Sequence, residues 1–112
     1  MDQVETIAVV LSVGRDQVEA FEEGFRQQEL PIWKDFIGRG ILVRASLSRM
    51  DVSSQAVDGA TQYLVIAVFA TGEGHHLHDN DPRFQAWNTA ADAFQVGDAL
   101  AFGGETLIHV DS

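Results

Sequence analysis

Two apolar runs, TIAVVLSV at 6–13 and YLVIAVFA at 63–70, constrain this chain more than any other feature. Each is short, rich in β-branched residues and apolar at odd and even positions alike, the pattern of a strand covered on both faces. A chain of 112 residues has room for one hydrophobic core. Both runs therefore belong at the centre of a single sheet, and the rest of the chain is what flanks and covers them.

After Gly14, Asp16 and Glu19 form a capping-box pair that opens a helix, with Val18, Phe21 and Phe25 on its apolar side. Pro31 is expected to stop it, and PIWKDFIGRG at 31–40 reads as a turn with a short helical stub. ILVRASLSRM at 41–50 sets Ile41, Val43, Ala45 and Leu47 against Leu42, Arg44, Ser46 and Ser48, a half-polar strand. A polar loop through 51–59 leads to the second apolar run, and GEGHHLHDND follows it as an exposed polar loop. Asp81 and Pro82 then open a helix with Phe84, Trp87, Ala91 and Phe94 as its stripe, closed near Gly97. Gly103 and Gly104 are expected to turn the chain into a last edge strand, ETLIHV at 105–110.

The order βαββαβ predicts an α+β, ferredoxin-like domain over 1–112, a four-stranded antiparallel sheet with strands one and three central and both helices on one face. The uncovered face would be apolar and too large for a soluble monomer to leave wet, so a second copy is expected to pack sheet to sheet against it.

Charge excludes other partners. Seventeen Asp and Glu face seven Lys and Arg, a net charge of −10 that repels phosphate backbones and anionic lipid alike. With no cysteine there is neither a disulfide framework nor a thiolate metal site. The opening MDQVETIAVV is acidic where a secretory signal is basic, and no apolar run reaches membrane-spanning length, so a cytoplasmic protein is expected. Phosphate-binding loops, the GxSxG elbow and the HExxH helix do not occur.

Three groups carry chemistry. His75, His76, His78 and Asp79, with Asp81 behind them, have the donor types of a zinc, manganese or iron site and equally those of a catalytic base or a solvated capping loop. Trp33 and Trp87 bring indole N–H groups suited to a pocket wall, with Phe36 among the neighbouring aromatics. Arg44 shares a strand face with Ser46 and Ser48, a set able to hold an anion or to blunt a sheet edge. His109 reads as a structural histidine, and Glu19, Glu22, Glu23 and Glu29 as a solvent-facing helix side.

TIAVVLSV with helix DQVEAFEEGF, the strands ILVRASLSRM and YLVIAVFA, and the segment HDNDPRFQAWNTAADAF together make the chain resemble the dimeric α/β-barrel superfamily, in its antibiotic-biosynthesis-monooxygenase-like and stress-responsive branches. The resemblance implies a homodimer that takes a small aromatic or polyketide-like ligand between sheet and helices. It also implies a cofactor-independent oxygenase or related isomerase, with no metal and no cofactor. His75 or His78 would then be the base, Arg44 the stabiliser of negative charge, and Trp33, Phe36, Trp87 and Ser46 ligand contacts. A non-catalytic binding or stress-associated dimer and a haem-handling protein with a histidine ligand are the alternatives it leaves open.

Overall fold

The computed structural model describes residues 3–112; Met1 and Asp2, the start of the expected domain and of its acidic opening, lie outside them. Strand β1 (Glu5–Gly14) leads through a 3-10 turn into helix α1 (Val18–Gly38), followed by β2 (Leu42–Arg49) and β3 (Ala60–Phe69). Helices α2 (Glu73–Asp79) and α3 (Pro82–Ala91) precede β4 (Leu100–Glu105). The sheet is antiparallel in the order β2-β3-β1-β4, the ferredoxin-like arrangement with both apolar runs at its centre. No helix among the described residues is long and apolar enough to cross a membrane.

Helix α1 does not stop at Pro31, which lies inside it on an exposed position. Proline lacks the N–H that would bond the Gln27 carbonyl, but water can satisfy that carbonyl on the outer face. The helix ends instead at a Schellman turn: Gly40 takes φ 74°, its N–H bonds the Ile37 carbonyl and the Ile41 N–H bonds the Phe36 carbonyl. The N-terminus also differs from expectation. Arg15–Gln17 form the 3-10 turn, and no side chain caps α1. Replacing Pro31 by Ala restores one backbone hydrogen bond and removes a steric conflict, at the cost of a looser unfolded chain. The net expected effect is a gain of about 2 kcal/mol, read as a higher urea midpoint with an unchanged slope.

Running α1 on to Gly38 places Phe21, Phe25, Ile32, Trp33 and Phe36 on one stripe, which packs with Trp87 and Ala91 of α3 over Val13, Leu42, Tyr63, Ala67 and Phe69. Both helices thus cover the sheet face that carries Ile7, Val9, Leu11 and Val65. Strand alternation turns Thr6, Ala8, Val10, Leu64, Ile66 and Val68 to the other face, which no helix covers. Phe102, paired with Ala8, is 62% exposed.

The last strand lies five residues earlier than the sequence suggested, and Gly103 and Gly104 belong to it rather than to a turn. Gly103 sits over Ile7, whose Cδ1 would be 2.5 Å from an added Cβ, so its lack of a side chain gives β4 room to close on β1. Thr106 continues the ladder through its N–H to the Val4 carbonyl and a hydroxyl contact with Thr6. Beyond it the chain is irregular, with Leu107, Ile108 and Val110 exposed. His109 is exposed too, so it is no buried strand residue.

Candidate active site

The polar segment after β3 is a short helix rather than an exposed loop, because α2 rests on the sheet. Gly74 is buried, and a Cβ there would lie 2.7 Å from the Phe69 ring, so only glycine lets α2 approach this closely. Asp81 then caps α3 through the Arg83 N–H with Pro82 in the first turn, as the sequence indicated. The Arg83 guanidinium holds the Asp81 carboxyl down at about 2 and reaches Asp35 of α1, tying α3 to α1. Helix α3 ends at Ala91, short of Gly97, and a 3-10 turn at Asp92–Phe94 leads to the bridge between Gln95 and Val13.

Docked this way, α2 presents His75 and His78 to the space between sheet and helices. His78 is 13% exposed at its side chain, wedged against the rings of Phe84, Phe36 and Phe69. Its Nε2 meets Glu29 at 2.6 Å and its Nδ1 meets Asp79 at 3.1 Å. Burial works against a charged ring, but the hydrogen bonds and charges of Asp79 and Glu29 outweigh it and push the imidazole up to about 9. At neutral pH His78 is therefore an imidazolium with both N–H groups engaged. It is unsuited to act as a base, and it offers no lone pair to a haem iron.

His75 differs. Its Nδ1 lies against Glu5 Oε1 at the start of β1, and among the described residues neither atom has another polar partner. A hydrogen on Nδ1 facing that carboxylate would leave Nε2 as the ring nitrogen able to take a proton.

Glu29 is the residue that sequence reasoning missed. Expected on a solvent-facing side with Glu22, it is 4% exposed at its side chain. The signal was its spacing: it lies four residues after Phe25 and four before Trp33, on the apolar stripe, once α1 is allowed past Pro31. Glu22 is not free either. It accepts from the Tyr63 hydroxyl and pairs with Arg49 beside a separate groove between α1 and β2. Burial first, then that carboxylate, pushes the Tyr63 phenol up to about 12.

These groups surround an inner chamber of about 140 Å³. Its wall is aromatic, from Phe21, Phe25, Trp33, Phe69, Phe84 and Trp87, and Glu29, His75, His78 and Asp79 bring its charge. It opens into an outer cleft of about 960 Å³ along β1 and β4, with His75, Asp79 and Phe84 shared by both. Of the expected contacts, Trp33 and Trp87 line the chamber. Phe36 does not line it and backs the His78 ring from the core.

Arg44 and Ser46 are not brought to the chamber. A bulge at Val43 sets Arg44 opposite Val68 and Ser46 opposite Ile66, on the face away from the helices, where Arg44 pairs with Asp111 at 2.6 Å. No His–Arg pair forms. Among the described residues no three His, Asp or Glu side chains converge as a metal site.

No protein-family model matches the chain, and no curated protein does. Solved structures do. A cofactor-independent oxygenase from Streptomyces nogalater superposes with a TM-score of 0.68 at 19% identity, over 98% of this chain and 99% of that one. An antibiotic biosynthesis monooxygenase gives 0.69 at 10% identity over 93% and 99%. A dimeric ferredoxin-like protein from an uncultured marine organism gives 0.77 at 10% identity over 99% and 94%. At these identities the likeness is one of fold: the chain has the ferredoxin-like architecture of antibiotic-biosynthesis-monooxygenase-like structures.

Proposed function

We propose that this protein is a homodimer that binds a small aromatic molecule between sheet and helices and oxidises it with dioxygen, without a cofactor. The observation that carries the reading is the aromatic chamber with a carboxylate-backed imidazole, His75, at its mouth. The oxygenase and monooxygenase among the similar structures support the chemistry, and the uncovered apolar sheet face supports the second copy. Loss of a proton to His75 Nε2 leaves a phenolate or carbanion, and Glu5 steadies the imidazolium that results. The electron-rich anion passes one electron to O₂, the substrate radical and superoxide combine as a peroxide anion, and His75 Nε2 returns its proton to give the hydroperoxide. Loss of water from it leaves a carbonyl, so an activated methylene plus O₂ gives a ketone plus H₂O. The apolar wall keeps water from the intermediates. His78 stays charged throughout and positions α2.

Anthrone, which has such a methylene, tests the reading. Saturable quenching of tryptophan fluorescence and oxygen uptake matched by anthraquinone are expected. His75→Ala should lower turnover by roughly 10²- to 10⁴-fold with binding retained. Binding without oxygen uptake would leave a ligand-binding dimer in place of an enzyme, and full turnover in His75→Ala would remove the base assignment.

A further inference from the structure

We infer, resting on that reading of the chamber as the binding site, that its ligand is cationic: an aromatic body carrying an ammonium group. The chamber brings the rings of Trp33, Trp87 and Phe25 to one small space, and aromatic rings attract organic cations; Phe84 already packs on the His78 ring in the same wall. Glu29 adds a buried carboxylate to that wall, with His78 engaging one of its two oxygens. Among the described residues, the acidic side chains around the outer cleft are Glu5, Asp79, Asp92 and Asp98, and no lysine or arginine lines either cavity.

Three arginines are occupied elsewhere: Arg83 by Asp81 and Asp35, Arg49 by Glu22, Arg44 by Asp111 on the far face. The His78 imidazolium lies between two carboxylates, so these three groups sum to one negative charge. Such a site gathers cations by its field and repels carboxylates. It also bears on the proton step. Removing a proton from a neutral molecule creates an anion among carboxylates, whereas removing one from a molecule with its own ammonium creates a zwitterion of no net charge.

Three isosteric probes separate the possibilities: 2-phenylethylammonium, 2-phenylethanol and phenylacetate, titrated by calorimetry at low and moderate salt. The ammonium should bind about tenfold more tightly than the alcohol, with phenylacetate weakest, and its advantage should shrink with salt. The variant Asp92→Asn/Asp98→Asn, changed at two exposed positions and checked for fold by circular dichroism, should lose severalfold of that advantage. Alcohol or acid binding as tightly as the ammonium overturns the cationic assignment and leaves an aromatic site standing. An advantage undiminished in the variant overturns the role of the carboxylates. No binding of any probe at millimolar concentration overturns both this inference and the binding reading beneath it.

Discussion

Ile66→Asp should convert the protein from a dimer to a monomer at micromolar concentration, whereas Val65→Asp, one residue away, should unfold it. Ile66 lies mid-strand on the face that no helix covers, between Ala8 and Ser46 in register. Val65 points the other way, into the aromatic chamber. In a sheet-to-sheet dimer an aspartate at 66 would be buried without a partner, at a cost of roughly 3 to 5 kcal/mol, comparable with much of the affinity of an ordinary interface. In the separated chain the same carboxylate is wetted and the fold persists. At 65 the charge enters the core of each chain, and separation brings no relief. Sedimentation velocity with circular dichroism distinguishes the two. A wild-type monomer, or a dimeric Ile66→Asp, would remove the proposed assembly.

The second large effect is on stability against pH. His78 titrates near 9 in the folded protein and near 6.5 when unfolded, so the native state holds its proton more tightly. The stabilisation is complete below about pH 6.5 and is lost as pH rises through about 9. It amounts to something on the order of 3 kcal/mol. Urea denaturation at pH 6, 7.5 and 9.5 should show that decline. Glu29→Gln should flatten it by leaving Asp79 as the ring's single carboxylate partner. Stability unchanged across that range, or a variant as steep as the wild type, would mean that His78 is not held as an imidazolium. The same geometry revises the sequence reading of this segment: His78→Ala should cost stability as well as ligand binding, because the residue is wedged between α1 and α3 rather than exposed on a loop.

The architecture was legible because its strongest signals are unambiguous. Two runs apolar on both faces can only be central strands, and Asp81 followed by Pro82 is a helix start that needs no tertiary context. What misled were residues read by their usual local meaning. Pro31 normally ends a helix, yet its missing hydrogen bond falls on a wet surface, where water lowers the loss enough for the packing of the apolar stripe to outweigh it. Gly103 and Gly104 normally turn, yet here both lie within β4, and the missing side chain of Gly103 lets the strand close on Ile7 of β1.

The candidate site was half legible for a related reason. The histidines stood out by composition, and alternation put Arg44 and Ser46 together correctly. Which face of the sheet that pair would take depended on a one-residue bulge at Val43 that composition does not mark. Glu29 was hidden because its partner, His78, meets it only once α2 docks beside α1.

The register of the sheet also sets an order of assembly. β1, the first strand in the chain, finds its partners in β3 and β4, and the side-chain contact between Thr6 and Thr106 spans 100 positions of sequence. Helix α1 and the β2–β3 pair can form from neighbouring residues, but β1 stays unsatisfied on both edges until distant segments arrive, and such long loops close at an entropic cost. Folding on the millisecond-to-second scale follows, with an apolar strand exposed meanwhile to any other copy of itself. The excess of carboxylates that shapes the cleft has a second use in that interval: mutual repulsion keeps unfinished chains apart until each sheet is closed.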